Sequence, residues 1–256
     1  MTHPPASARR ARAARLLAVV VLFLGQALVG APLRQPLRDA PEVRQIVTFR
    51  FQPGRTADAL RVFEQQLAPI YRETPALVRF RAYREAESPE PLDLIVVSTL
   101  LGLAGMDDVN RQLAERSGGA AVADLYSQLS QMSDGHHDQF VEMVDGLRYG
   151  DADAARFVVF DWVQVRPGGR ANYERLLQIH ASPWERSQGR VRSSETGRCL
   201  VCDGWDYLRV LGFDQLGDFH AYLIAARTQP WATQIDELRG ARRRIIVRPV
   251  ESLRIR

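Results

Sequence analysis

Three segments in the first half of the chain recur, in the same order, in its second half. The matched pairs are residues 49–54 (FRFQPG) with 163–168 (VQVRPG), 92–97 (LDLIVV) with 205–210 (WDYLRV), and 141–149 with 247–255. The two members of each pair are 114, 113 and 106 residues apart. A duplication with small differences in loop length produces spacings that shrink slowly in this way, so the sequence predicts two halves of similar structure.

Each half is predicted to contain a strand, a helix, two strands, a helix and a last strand. In the first half, apolar periodicity indicates strands at 46–52, 77–84 and 93–100, helices after residues 54 and 107, and a short last strand ending at Tyr149. In the second half it indicates strands at 157–166, 190–195, 207–213 and 244–256, with helices at 171–184 and after 214. This order is the split βαβ, or ferredoxin-like, motif.

The first strand of each half is apolar on both faces. Alternation places Val159 and Val163 on one face of the second-half strand, and Phe160 and Trp162 on the other. Helices cover only one face of an open ferredoxin-like sheet, so the other face needs a cover, and the sister sheet is the nearest candidate. We therefore expect an α+β fold in which two tandem ferredoxin-like repeats, residues 43–150 and 155–256, pack sheet to sheet.

In element order and internal repeat, residues 43–256 resemble the dimeric alpha–beta barrel superfamily. Its members include antibiotic-biosynthesis-type monooxygenases, NIPSNAP-like proteins and the haem-binding chlorite dismutases and dye-decolourising peroxidases. The resemblance implies that one chain closes its own barrel, with a cavity between sheets and helices. It carries over no active site, because no catalytic motif of the family can be placed on these residues.

The N-terminus has the layout of a secretory signal peptide. Four arginines precede an apolar run from Leu16 to Val29, and the small residues Gly30 and Ala31 follow. Pro32 disfavours cleavage directly after Ala31, so the alternative is a retained anchor formed by residues 16–31. The run is short for a membrane-spanning helix, which usually needs about 20 residues. We expect residues 1–31 to be a leader and 32–42 a linker, and the protein to be exported to the periplasm or beyond.

The charge of the chain excludes several classes of function. Basic residues number 34 and acidic residues 30, but four of the basic residues lie in the leader, so the remainder is balanced. Nucleic-acid binding is not expected, because it needs a basic surface on the folded part. The chain has no lysine, which excludes Schiff-base chemistry and the P-loop. Any recognition of an anion must use arginine.

The two cysteines, Cys199 and Cys202, lie between two predicted strands. A structural disulfide is expected in an exported chain if a turn brings them together. Free thiols and a redox site are alternatives, although a redox CxxC usually starts a helix and a strand follows here. Two cysteines do not complete a zinc site, and no metal is predicted.

Asp161 and His180 are the candidate catalytic residues. Asp161 shares a face with Val159 and Val163, where an unpaired carboxylate would have a raised pKa and could act as a general base. The alternative is an ion pair with an arginine. His180 is expected on or beside the apolar face of its helix, as a general base, a haem ligand or a packing residue.

Haem is the cofactor considered, with His180 or His220 as its ligand, but no cofactor is predicted. His220 is expected near the surface. His136 and His137, followed by Asp138, are expected in a solvated loop, where only a tight curl would bring them onto a metal.

Four arginines form two matched pairs, Arg79 with Arg81 and Arg190 with Arg192. A spacing of two places each pair on one face of the second strand of its half. That strand is expected to be a sheet edge, where charges block unwanted strand pairing. The alternative is a guanidinium cluster for a carboxylate or phosphate. Trp162 and Trp184 are the further ligand-binding candidates.

Three functions remain open. The first is a non-catalytic exported module whose barrel is closed or binds a small apolar or anionic ligand. The second is a cofactor-independent monooxygenase-like enzyme for a small organic molecule, and the third is a haem protein. A cavity of at least about 300 Å³ lined by both Asp161 and His180 would favour the enzyme. A homodimer formed through free strand edges is a further expectation, and contact with a membrane is expected only through an uncleaved N-terminus.

Overall fold

The computed structural model describes residues 40–87, 92–117 and 120–255. The first half contains β1 (Glu42–Phe51), α1 (Thr56–Val62), α2 (Ala68–Arg72), β2 (Arg79–Glu87), β3 (Leu94–Leu101), α3 (Ala104–Ser117), α4 (Ala120–Met132) and β4 (Ser133–Gly150). The second half contains β5 (Phe157–Val165), α5 (Arg170–Leu176), α6 (Ser182–Gln188), β6 (Val191–Val201), β7 (Tyr207–Phe213), α7 (Leu216–Arg227), α8 (Pro230–Leu238) and β8 (Arg239–Pro249).

The expected leader and most of the expected linker lie outside the described residues. Among the helices of the described residues, none is both long enough and apolar enough to cross a membrane.

The eight strands form one closed antiparallel barrel in the order β1-β3-β2-β8-β5-β7-β6-β4. The two halves meet at their strand edges, where β2 pairs with β8 and β4 pairs with β6. The expectation that one chain closes its own barrel is confirmed, and the halves join through these two strand pairs. Because each strand has neighbours on both sides, the free edges expected to support a homodimer are absent from the described barrel.

The barrel interior is filled by side chains from both halves. The apolar members are Ile46, Tyr83, Leu92, Ile95, Val97, Val141, Ala155, Val158, Phe160, Trp162, Leu208, Val210, Ile245 and Val247. Trp162 donates a hydrogen bond from Nε1 to Gln139 Oε1 at 2.8 Å. The expectation that residues of the sister half cover Phe160 and Trp162 is confirmed, since both are at most 1% exposed.

The helices cover the outer face of the barrel. In the first half, Phe63 and Leu113 pack with Phe51 and Val96 of the strands in an apolar layer. In the second half, the layer is divided into two apolar clusters, one around Tyr173 and one around Phe219. Charged residues also occur in this second layer, and they form part of the candidate site.

Both halves contain a π-helical turn at the same place. Phe63–Leu67 connects α1 to α2, and Leu177–Ala181 connects α5 to α6. A helix follows each turn, with proline at its first or second position. A π turn inserts one extra residue per turn and is frequent at functional sites.

The strand register matches the two halves residue by residue. Val47 on β1 lies between Val96 and Asp138, and Asp161 on β5 lies between Arg209 and Arg244. The corresponding residues are 114, 113 and 106 positions apart, the spacings found in the sequence.

Strand β4 differs from its prediction. It covers Ser133–Gly150, 18 residues, and includes His136, His137 and Asp138. The prediction of a solvated loop for these residues was wrong. They pair with Phe49, Thr48 and Val47 of β1, because β4 must reach both β1 and β6 to close the barrel.

Candidate ligand-binding site

An open pocket of about 860 Å³ lies at one end of the barrel, where β5 and β6 end and β7 and β8 begin. It is lined by Gln164, Val165, Arg166, Pro167, Gly168, Arg170, Cys199, Leu200, Cys202, Gly204, Trp205, Asp206 and Gly240. Trp205 and Cys202 also pack against the apolar interior of the barrel. The apolar core therefore lies behind the inner wall of the pocket, and the outer end of the pocket is open to solvent.

A disulfide between Cys199 and Cys202 forms part of the pocket wall. The Cα atoms are 5.6 Å apart, within the usual range for a disulfide. The Cys199 amide donates a hydrogen bond to the Asp206 carbonyl at 2.9 Å, which holds the turn between β6 and β7 closed. The structural disulfide predicted from the sequence is present.

Asp206 organises the rim of the pocket. Its carboxylate accepts a hydrogen bond from the Val165 amide at 2.7 Å and forms an ion pair with Arg170. Asp93 makes the equivalent bond to the Phe51 amide, at 2.8 Å, in the first half. Arg166 donates from Nε to the Arg239 carbonyl at 3.2 Å.

Apart from the pocket, a cluster of charged side chains lies between the sheet of the second half and its helices. Asp161 is 0% exposed and accepts a hydrogen bond on Oδ1 from Arg242 Nε at 2.6 Å; its Oδ2 is paired with Arg242 Nη2. Arg244 Nη2 lies 3.6 Å from Asp161 Oδ2. We call Asp161, Glu185, Arg209, Arg242 and Arg244 the buried charge cluster, after its three buried members, Asp161, Glu185 and Arg209. Arg242 and Arg244 are partly exposed.

Glu185 is the second carboxylate of the buried charge cluster. It comes from α6 and is 0% exposed. It accepts hydrogen bonds from Arg209 Nη2 at 2.7 and 2.9 Å, and from the Tyr222 hydroxyl at 2.7 Å. Burial, the nearby Glu185 charge and the hydrogen bond to Glu185 hold the pKa of Tyr222 far above its usual range.

Several donors in this region have no hydrogen-bond acceptor in the described part of the chain. They are the Tyr149 hydroxyl, Arg209 Nε, Arg244 Nε and Arg244 Nη2. A buried donor without an acceptor costs about 1–3 kcal/mol, so native proteins rarely keep several together.

The pairing of Asp161 changes what its carboxylate can do. Burial alone would raise its pKa, but the hydrogen bonds and charge of Arg242, together with the charges of Arg244 and Arg209, outweigh burial and lower it. Asp161 therefore does not have the raised pKa expected of an unpaired carboxylate. The alternative, an ion pair with an arginine, is the arrangement found, and the pKa is lowered. A carboxylate held in this way is a weak base.

His180 does not lie on the apolar face of its helix. It belongs to the π turn Leu177–Ala181 and is exposed, whereas Leu177 and Ala181 are buried. The extra residue of the π turn rotates the face, so the position predicted from α-helical spacing was wrong. His220 is exposed, as expected.

Arg79, Arg81 and Arg192 lie on strands that are not edges, and Arg190 directly precedes β6, so the edge-strand explanation was wrong. Arg81 is buried and forms an ion pair with Asp153, in which Nε donates to Oδ1 at 2.6 Å. Arg81 also donates a hydrogen bond to the Ile255 carbonyl. Arg192 pairs with exposed Asp214, and Arg190 is exposed. Three strands separate β2 from β6 in either direction around the barrel, so Arg79 and Arg81 are not brought together with Arg190 and Arg192.

The two tryptophan candidates lie in different layers. Trp162 is buried in the barrel interior with Arg243 above its ring, 5.5 Å from the ring centroid. Trp184 is half-buried among the helices and packs against Tyr222 and Trp231. Neither residue lines the barrel-end pocket.

Sequence reasoning missed most of the buried charge cluster. Arg242 and Arg244 have the spacing of two that singled out the other pairs, in a strand next to β5. Arg209 interrupts an otherwise apolar strand at the position matched to Val96. Glu185 gave no signal, because the π turn sets which face of the helix it occupies.

No protein-family model and no curated protein matches this sequence. Solved structures do match. A proposed monooxygenase from Fusobacterium nucleatum superposes with a TM-score of 0.57 at 9% identity, over 82% of this chain and 93% of its own. An anthrone oxidase-like protein gives a TM-score of 0.58 at 9% identity, over 84% and 93%. A haem-binding protein from Thermus thermophilus gives 0.53 at 13% identity, over 83% and 92%.

This chain has the dimeric alpha–beta barrel fold. The proteins that share it are similar over nearly their whole length, so the likeness extends to the complete barrel and its helices. At such low identity it establishes the fold of this barrel and assigns no residue a role.

Proposed function

We propose that this chain is an exported barrel protein that binds a small ligand without transforming it, in the pocket at the end of the barrel. The supporting observation is the pocket itself. Its volume of about 860 Å³ falls within the range of small-molecule sites, roughly 300–1,000 Å³. Neither Asp161 nor His180 lines it, so the candidate catalytic residues are not at this opening.

The walls of the pocket favour a small, largely apolar ligand. Trp205, Leu200 and Val165 supply apolar surface, and Arg166 supplies a cation at the rim. Gln164 and the Arg170–Asp206 ion pair add polar groups, which can orient a small molecule against the apolar surface. The ligand we infer is therefore a small apolar molecule, with or without a negatively charged end.

A fluorescent probe tests this proposal. The apolar anion 1-anilinonaphthalene-8-sulfonate is titrated into the full protein, and binding at a single site is expected. Leu200 is 42% exposed, so Leu200→Glu should leave the fold intact and weaken binding at least tenfold. Ile224, 68% exposed on α7, provides the matched control Ile224→Glu, which should bind normally. Equal affinity of the two variants for the probe would refute the proposal that the ligand binds in the barrel-end pocket.

A monooxygenase-like activity is the second candidate function. It is supported by the descriptions of similar structures, one a proposed monooxygenase and one anthrone oxidase-like. Asp161 and His180 would be its acid–base residues, although the pairing of Asp161 and the exposure of His180 weigh against them. The test is oxygen consumption with anthrone. Activity that is lost in Asp161→Asn would replace the binding proposal with the enzyme.

Haem fits the described residues poorly. A haem protein needs an axial ligand facing a space large enough for the porphyrin. His180 and His220 are exposed, and neither lines the barrel-end pocket. The similarity to a haem-binding protein is therefore not matched by a ligand at either predicted position.

We further propose that the chain is a tandem duplication of a ferredoxin-like repeat, with the divisions 43–150 and 155–256. The support is positional. The π turns begin at Phe63 and Leu177, 114 residues apart. Asp93 and Asp206 make the same bond to a strand amide in each half. A kinship with NIPSNAP-like proteins in particular rests on this arrangement alone.

Export is proposed from the leader pattern and is supported by the disulfide, since disulfides persist mainly in oxidising compartments. The test is the N-terminal sequence of protein recovered from the periplasm. A mature chain starting near Ala31 indicates cleavage, an intact leader in the membrane fraction indicates an anchor, and cytoplasmic protein refutes export.

A further inference from the structure

We propose that the buried charge cluster is a second ligand site, which takes one small aromatic carboxylate between the sheet and the helices of the second half, on Arg244 and Arg209. None of its residues lines the barrel-end pocket, so this inference does not rest on the proposed function. The two binding sites can be tested separately.

The first argument is charge. Three guanidinium groups, Arg209, Arg242 and Arg244, face two carboxylates, Asp161 and Glu185. Arginine stays protonated, and both carboxylates are held by ion pairs. The buried charge cluster is one negative charge short, and a monoanionic ligand would balance it.

The second argument is hydrogen bonding. Arg244 has both Nε and Nη2 without an acceptor within hydrogen-bond distance, and Arg209 has Nε without one. Arg209 is 5% exposed, so water cannot readily satisfy it. Nε and Nη2 form one edge of a guanidinium and can donate two parallel hydrogen bonds to the oxygens of a carboxylate.

The third argument is the surroundings, which favour an aromatic ligand. Arg244 lies over the Phe219 ring, 5.4 Å from its centroid. Tyr222, which donates to Glu185, packs against Trp184 with the ring centroids 5.8 Å apart. The Tyr149 hydroxyl is a further donor without an acceptor. A carboxylate on a small ring matches both the donors and the aromatic side chains.

The approach that we propose for the ligand is from the side of β8. The Arg242 and Arg244 side chains are 30% and 23% exposed, whereas Asp161 behind them is fully buried. A ligand approaching past these two arginines meets their guanidinium groups before it meets the carboxylates.

The first half shows that the fold does not require this arrangement. Val47 and Val96 occupy the positions of Asp161 and Arg209, and Asp138 occupies that of Arg244. The corresponding layer is apolar, with Val96 in its core. Only the second half carries buried charges at these positions, as expected of a specific binding site.

The test compares benzoate with benzamide, which has the same ring and no charge, by isothermal titration calorimetry on the full protein. Benzoate should bind at one site and benzamide at least tenfold more weakly. Arg244→Gln should reduce benzoate affinity at least tenfold. Arg248→Gln is the matched control, because Arg248 is exposed on the same strand and should not contribute.

Two further variants separate the outcomes. Arg244→Lys keeps the positive charge but loses the two parallel donors of the guanidinium group, so an intermediate affinity for benzoate is expected. Leu200→Glu, which blocks the barrel-end pocket, should leave benzoate binding unchanged. Equal binding of benzoate and benzamide, normal benzoate affinity in a folded Arg244→Gln, or no benzoate binding would each overturn the carboxylate site. Loss in Leu200→Glu would place benzoate in the barrel-end pocket instead.

Discussion

Arg44 on β1 and Glu195 on β6 form a two-pronged ion pair inside the barrel, with Nη1–Oε2 and Nη2–Oε1 distances of 2.6 and 2.8 Å. The two residues belong to different halves of the chain and lie on the two strands that flank β4. Arg148 of β4 adds a contact to Glu195 at 3.4 Å. The pair therefore links the halves beside one of the two places where they join.

Removing one partner of this pair should strongly destabilise the protein. Both side chains are 8% exposed, so Arg44→Met leaves the Glu195 carboxylate buried without its main partner. The expected loss of unfolding free energy is about 3–5 kcal/mol. Urea denaturation of Arg44→Met, Glu195→Gln and the double variant measures the coupling. Additive effects in the double variant would show that the pair is not coupled.

Acid should remove part of the stability that Glu195 provides. Burial alone would raise its pKa, but the hydrogen bonds and charge of Arg44 outweigh burial and lower it. The folded-state pKa is thus below that of the unfolded chain, about 4.3. The stabilisation is present above that pH and is lost as the pH falls through the folded-state pKa. In urea titrations, Glu195→Gln should flatten this acid dependence; an unchanged profile would contradict it.

Gly150 should tolerate alanine far less well than Gly168. Both have a left-handed backbone, with φ of 72° and 79°. A Cβ on Gly150 would lie 1.9 Å from the Arg192 carbonyl oxygen across the β4–β6 junction, whereas one on Gly168 meets nothing within 4 Å. Gly168→Ala should cost about 1 kcal/mol, from backbone strain alone.

Gly150→Ala should cost at least about 3 kcal/mol, because the backbone of β6 must move as well. Thermal melting of both variants checks the difference. Equal melting temperatures would mean that β4 and β6 do not approach so closely.

Loss of the disulfide should weaken the protein only modestly. Cys199 and Cys202 are 3 residues apart, so the closed loop is short. The chain-entropy relation gives about 2 kcal/mol for a loop of this length. The Cys199→Ser/Cys202→Ser variant should have a melting temperature lowered by an amount that corresponds to this free energy. Dithiothreitol should lower the melting temperature of the wild-type protein equally. A melt that dithiothreitol does not alter would show that the disulfide adds no stability.

Much of the fold follows from the sequence for identifiable reasons. Local patterns predict helices and strands. Examples are the turns at Pro53-Gly54 and Pro167-Gly168 and the apolar strand faces around Val47 and Asp161. The way the halves join is not local. It depends on β2 meeting β8 and β4 meeting β6, contacts between residues far apart in the chain.

The candidate site was less predictable than the fold. The burial of Asp161 followed from strand alternation, and an arginine partner was an open alternative. The identity of that partner, Arg242, depends on the register of β8 against β5. His180 was misplaced because a π turn shifts every later residue around the helix, and periodicity assumes a uniform helix.

The continuous connection between the halves, through residues 151–156, has an evolutionary consequence. A barrel assembled from two copies of one chain must carry every substitution twice, so a charge useful in one layer is imposed on the other. Here Val47 and Asp161 are encoded separately, although they occupy matching places in the ladder. One layer can remain a plain apolar support while the other acquires arginines and carboxylates. The duplication that we propose would thus free half of the molecule to specialise while the other half preserves the shape of both.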